Sequence, residues 1–309
     1  MMKKKRIVFM GTPIIATTYL RALLEYNYEV VGVYTQPPRK KGRGLKIHKS
    51  SVHVYALENN IKVYTPNDFN SKKEIDIFKK IQPDLVVVMG YGLLIPKKIL
   101  SIPSFGFINI HVSLLPRWRG ASPIEHAILN GDKNTGVSLI FLEEKLDSGP
   151  IIASNEIKIN NKISKETLTE QLNELGKSLL INNLEKIFQK KVYPQKQNEA
   201  EVLYANKITT DLRKINFNND TVSICNKIRA FSPKPSAWFY YNKERINILQ
   251  CSIEECETKN STILNEEFHI GCNNGKIIPE MIQRQGKKPL KIEEFIRGFK
   301  FKVGHKVNA

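Results

Sequence analysis

The run DLVVVM, residues 84–89, narrows the fold more than any other stretch of the chain. Its five consecutive apolar residues show no period-two alternation, so a strand made of them must be covered on both faces. Strands of that kind belong to parallel sheets flanked by helices. The neighbouring sequence supplies the alternation such a sheet needs. RIVFMG (6–11), EVVGVYTQ (29–36), GFINIHVSL (106–114) and TGVSLIFLE (135–143) read as strands. PIIATTYLRALLEY (13–26), SVHVYALENN (51–60) and KEIDIFKKI (73–81) read as helices, and a long helix over about 165–189 closes the region. Strands alternating with helices imply an α/β fold, a Rossmann-like, doubly wound and mostly parallel sheet.

A chain of 309 residues exceeds what one ordinary core holds, so two domains are expected. The pattern changes after about residue 190. Residues 191–206 are polar, with few apolar anchors, and read as a linker. Beyond them come short strand-like runs, AWFYY, RINILQCSI, STIL, FHIGC and KIIPEMIQRQ, behind a helix at VSICNKIRAF. That spacing predicts a small C-terminal β-barrel, OB-like, over 207–309, beside the α/β domain over 1–190.

Several function classes are set aside early. No apolar run approaches the ~18 residues of a membrane span. The basic start MMKKKRIVFMG has only Ile7–Met10 as its apolar stretch, too short for a secretion signal, so a cytoplasmic protein is expected. The four cysteines form no C-x-x-C pair and read as free thiols, with no metal site expected. The first turn, MGTPIIA, lacks the spaced glycines of a dinucleotide site, and there is no P-loop. A ligand should still sit at the carboxyl ends of the strands, near the topological switch point.

The strand FINIH ends there and carries an unusual load. Alternation places Phe107, Asn109 and His111 on one face. A buried polar group without a partner costs a few kcal/mol, so an amide and an imidazole two residues apart near a strand's end mark a candidate site. Asp147, in the D-S-G turn after the next strand, has two readings at this point. It is either ordinary turn chemistry or the carboxylate that orients His111.

Charge adds a partner class. The net charge is +18, and QPPRKKGRGLKIHKS (36–50) holds six Lys or Arg and no acid. Its glycines and prolines argue against a regular element through it. Such an excess suggests a polyanion, nucleic acid first, although an AT-rich genome, which favours Lys along with Ile and Asn, would also raise it.

The block GFINIHVSLLPRWRGASPIEHAILNGDKNTGVSLIFLEEKLDSGPII resembles the formyltransferase family that uses 10-formyltetrahydrofolate. Further matches are FMGTP, VVGVYTQPPRKKGRG, VVVMGYGLLIP, LYANKI and IRAFSPKPSAWF, the second and last pointing to the tRNA-specific branch. The resemblance implies that Asn109, His111 and Asp147 are the catalytic set. It implies a folate site at Ser113, Leu114, Leu115 and Pro116, with Met89, Gly90, Tyr91 and Leu94 helping to line it. It implies a methionyl-initiator tRNA as formyl acceptor, held by Arg39, Lys40, Lys41, Arg43 and Lys46, with Arg43 as the key residue, and by Lys287 and Lys288 of the C-terminal domain. It further implies a monomer, and no metal. One departure is Val112, where that branch has Gly. A formyltransferase for a small amine would share the catalytic three but not need the basic segments. A nucleic-acid-binding module with an idle Rossmann-like domain would not need Asn109, His111 and Asp147.

Overall fold

The computed structural model describes residues 4–41 and 46–308. The apolar runs become the middle of a seven-stranded sheet. In chain order its strands are β1 (Arg6–Gly11), β2 (Glu29–Tyr34), β3 (Val63–Tyr64), β4 (Leu85–Met89), β5 (Phe107–His111), β6 (Asn134–Phe141) and β7 (Ile151–Lys158). Their spatial order is β7-β6-β5-β4-β1-β2-β3. From β3 to β5 every neighbouring pair runs parallel. The β5–β6 pair is antiparallel, with Asn109 opposite Ile140 and His111 opposite Ser138. All five residues of β4 are buried, as a run without alternation requires, and so are all five of β5, its polar pair included.

The order reverses between β1 and β4, which places the switch point at Gly11 and Met89. The loops leaving three strands are tied together there. The Thr12 hydroxyl donates to Tyr91 O at 3.0 Å, and Gln36 Nε2 donates to the same carbonyl at 3.2 Å. A Cβ on Gly11 would meet Ala16 Cβ at 2.8 Å and Met89 O at 3.0 Å, so only glycine lets the turn come this close. Helices Ile14–Glu25, Ser51–Glu58 and Lys72–Ile81 lie where the periodicity predicts, and the long helix runs Lys165–Phe188. The strand β7 is an unanticipated addition. Its exposure alternates, and it carries too little apolar length to stand out in the sequence.

The chain divides into two compact units. The first comprises residues 1–120, 136–157 and 170–204, and the second 121–135, 158–169 and 205–309. A single passage at 191–206 is the sequence expectation; the second unit also includes two earlier segments. The helix Pro123–Leu129 packs on Thr221–Phe231, and Arg229 Nη1 donates to Asn160 O at 2.7 Å. The stretch 191–206 is itself bonded into the first unit, where Gln195 and Ile151 exchange backbone hydrogen bonds at 2.8 Å.

The second unit has a sheet of β8 (Ala237–Tyr241), β9 (Glu244–Glu255), β10 (Ile270–Cys272), β11 (Gly275–Arg284) and β12 (Leu290–Lys291). Its order is β8-β9-β11-β10, with β12 also paired to β11. Among the described residues this sheet does not close into a barrel. STIL contributes only isolated bridges, Thr262 with Lys306 and Ile263 with Ile270. Phe239, Phe268 and Phe295 fill its core.

Candidate active site

Asn109 and His111 end the buried strand β5, and Asp147 comes to them from the turn after β6. The antiparallel register does this: β6 runs back along β5, so the chain leaving Phe141 emerges beside the start of β5 and then folds over its polar face. Asn109 Nδ2 donates to Asp147 Oδ1 at 3.4 Å, and His111 Nδ1 lies 3.6 Å from Asp147 Oδ2. The Asp147 carboxylate thus lies beside both the Asn109 amide and the His111 ring. The three are 8%, 6% and 8% exposed, so the cluster is desolvated but not sealed.

The far side of the ring fixes its hydrogen. His111 Nε2 is 2.8 Å from Trp118 O. A carbonyl only accepts, so Nε2 carries the hydrogen, and Nδ1 of the neutral ring presents a lone pair to Asp147. A proton arriving at Nδ1 therefore meets a carboxylate directly behind it. Asp147 is held in turn: Gly120 N–H donates to Oδ2 at 2.9 Å. Its backbone sits at φ +49°, a left-handed conformation that an L residue keeps only when its surroundings enforce it.

The loop after β5 is pinned to the sheet. Ser138 Oγ donates to Ser113 O at 2.8 Å and accepts from Leu115 N–H at 3.0 Å, and Ser113 Oγ donates to Arg117 O at 2.7 Å. The peptide between Leu115 and Pro116 is cis. The Arg117 guanidinium stacks 4.6 Å over the Trp118 ring. Of the residues expected to line a folate site, Ser113 and Leu115 are buried in this loop, and Met89 and Gly90 lie at the switch point. Tyr91 is placed differently. Its ring is 2% exposed and packs on Phe69 in the core, so only its backbone faces the loop cluster. Leu94 is 79% exposed.

Sequence reasoning missed Gln197 and its tie to Arg119. Arg119 is fully buried, and its Nε and Nη2 donate to Gln197 Oε1 at 3.0 and 2.9 Å. Gln197 Nε2 donates to Asp147 O and Gly149 O, both at 2.8 Å. Arg119 Nη2 also reaches Glu199 Oε1 at 2.8 Å, and Lys145 Nζ reaches Glu199 Oε2 at 2.8 Å. The Arg119 hydrogen bond, then that of Lys145, hold the Glu199 carboxyl down at about 2. No periodic signal flags a lone amide in a polar stretch.

The basic segment corrects one expectation. Arg39–Lys41 and Lys46–His48 pair as a short antiparallel ladder, because the glycines lie between the strands rather than in them. Arg39, Lys40 and Lys46 are exposed, whereas Arg43 lies outside the described residues. Lys287 and Lys288 are exposed on a turn after β11. Arg284 beside them is engaged by Glu244 at 2.7 and 3.0 Å. No His, Cys, Asp and Glu grouping suited to a metal occurs among the described residues, and no helix there is long and apolar enough to cross a membrane.

Residues 4–184 match the formyl transferase family, and residues 207–300 match the formyl transferase C-terminal domain. The chain belongs to the formyl transferase family. Among curated formyl transferases, one from Wolbachia sp. subsp. Drosophila simulans (strain wRi) is 43% identical over 295 residues, covering 96% of this chain and 97% of its own length. One from Pelagibacter ubique (strain HTCC1062) is 40% identical over 305 residues, 98% of each chain. Both are called methionyl-tRNA formyltransferase. A crystal structure of an N-formyltransferase from Helicobacter canadensis, in complex with folinic acid and dTDP-3-aminofucose, superposes with a TM-score of 0.65 at 25% identity. It covers 91% of this chain and all of that one. The formyl transferase assignment thus spans both units, and the Asn109–His111–Asp147 cluster lies within the first matched segment.

Proposed function

We propose that this enzyme moves the formyl group of 10-formyltetrahydrofolate to the α-amine of methionyl-initiator tRNA, in the start of translation. The observation that carries the reading is the convergence of Asn109, His111 and Asp147 at the end of β5. The near full-length similarity to proteins called methionyl-tRNA formyltransferase supplies the acceptor. The donor is supported by the family and by the pinned loop Ser113, Leu114, Leu115 and Pro116 beside the cluster.

The co-substrate brings the formyl carbon; the chain's residues handle charge and protons. Asn109 Nδ2 carries two hydrogens, and the one not aimed at Asp147 is available to the formyl oxygen as it gains negative charge. A donor of this kind contributes about 3 kcal/mol. An N–H of His111, on the same strand face, is the second candidate for that role. Its Nε2 hydrogen is committed to Trp118 O, so the oxyanion contact rests on Asn109. His111 Nδ1 instead takes the proton shed by the attacking amine, Asp147 stabilises the cation that forms, and the same pair returns the proton to the departing nitrogen. Binding of the tRNA is assigned to Arg39, Lys40, Lys41, Arg43 and Lys46 of the basic segment, and to Lys287 and Lys288 of a C-terminal, OB-like platform. The functional division is 1–190 for chemistry, 191–206 as connector and 207–309 for RNA. We further assign it as a cytoplasmic monomer.

The test mixes purified protein with 10-formyltetrahydrofolate and charged initiator tRNA and measures blocked amino termini. Blocked methionine, lost in Asn109→Ala, His111→Ala and Asp147→Ala, is the expected result. No blocked product from wild-type protein, or full activity in all three variants, rejects the reading.

A further inference from the structure

We infer that Gln197, clamped by the buried Arg119, is a positioning residue that holds Asp147 in its working geometry. The inference rests on the proposed role of Asp147 and extends it to a segment outside the catalytic three.

Four hydrogen bonds fix the Gln197 amide in one orientation. Its oxygen takes Nε and Nη2 of Arg119 at 3.0 and 2.9 Å, and its nitrogen gives to Asp147 O and Gly149 O at 2.8 Å each. A guanidinium has no acceptor and a carbonyl has no donor, so a flipped amide would lose all four bonds. The side chain is 5% exposed, and water does not substitute for the missing partners at low cost. The two carbonyls it binds bracket the turn Asp147-Ser148-Gly149. Asp147 is left-handed there, at φ +49°, and needs its surroundings to hold it. Arg119 is equally fixed, fully buried and tied at its outer edge to Glu199. The next residue, Gly120, gives its N–H to Asp147 Oδ2, and the preceding residue, Trp118, takes the His111 hydrogen. The segment 118–120 and Gln197 therefore hold both the backbone and the carboxylate of Asp147 against His111. A carboxylate released from this bracket would drift from Nδ1, and a displacement of about 1 Å costs about 10²-fold in rate.

Gln197→Glu preserves shape and the contact with Arg119 but removes both donors to the turn. The expected result is a fall in kcat of about 10²-fold, with KM for 10-formyltetrahydrofolate and for the charged tRNA within about twofold of wild type. The acidic limb of the kcat–pH profile shifts as well. On an Asp147→Asn background the same change should cost nothing further, because the two act as one unit. A Gln197→Glu protein as fast as wild type overturns the inference, and so does an equal loss on both backgrounds. If Gln197→Glu does not fold, Glu199→Gln, at an exposed position, loosens the outer anchor of Arg119. It is expected to lower kcat about threefold on the wild-type background alone, and unchanged kcat there overturns the inference. If Asp147→Asn alone keeps full activity, the proposed function of Asp147 fails first and separately.

Discussion

Exchanging Asn109 for Asp turns the central juxtaposition into a measurable repulsion. Asn109 Nδ2 stands 3.4 Å from Asp147 Oδ1, and the substitution is close to isosteric, so two carboxylate oxygens come to face each other at nearly that separation. Both residues are buried. Two unit charges at that distance repel by about 5 kcal/mol at an effective dielectric constant of about 20. The folded variant avoids this by keeping one proton on the pair that the unfolded chain releases near pH 4. The sign follows from linkage. A carboxyl that binds its proton more tightly when folded contributes stability fully below about pH 4 and loses it as pH rises. Relative to wild type, Asn109→Asp should therefore weaken by about 1.4 kcal/mol per pH unit above that point, up to a limit near 5 kcal/mol. Asn109→Ala is the control. It loses a weak hydrogen bond, with a penalty independent of pH, and about 10²- to 10³-fold in turnover. Urea unfolding of the three proteins from about pH 4 to about pH 8 reads this out. Parallel stability–pH curves for the Asp and Ala variants would refute the placement of Asn109 against Asp147, and the proposed chemistry with it.

Other consequences are as direct. A Cβ on Gly149 would stand 1.8 Å from Phe141 O, against an ordinary carbon–oxygen contact of about 3.4 Å, so Gly149→Ala must push the Asp147 turn outward. Turnover should drop about 10²-fold while the melting temperature also falls, and a variant with wild-type kcat would show that the turn is not under this constraint. Because Glu199 is held at about 2, its bonds with Arg119 and Lys145 contribute above the unfolded carboxyl value of 4.5 and are lost as pH falls toward about 2. The stability difference between wild type and Glu199→Gln should accordingly be flat near neutrality and shrink through that acid window in unfolding experiments. Finally, the basic surface predicts a steep rise of the KM for charged tRNA with salt, while the KM for 10-formyltetrahydrofolate stays nearly level. Two equal salt slopes would remove phosphate contacts from the account.

What the sequence determined by itself are the features written in local order. A hydrophobic run without alternation reads as a doubly covered strand, which is why β4 was legible, and 3.6-residue spacing located the helices of the first unit. An amide and an imidazole spending strand positions on polarity marked the site for the same local reason. The exposed strand β7, the pairing of the basic ladder and the two early segments that join the second unit left no such mark. They depend on partners distant in the chain. Only the tertiary structure decided what Asp147 faces: the antiparallel return of β6 carries it 38 residues back to Asn109. Gln197 lies further away still. Its four bonds reach across the chain to Arg119, Asp147 and Gly149. Hydrogen-bond partners are chosen by proximity after folding, and a single polar residue in a polar stretch carries no periodicity that announces them.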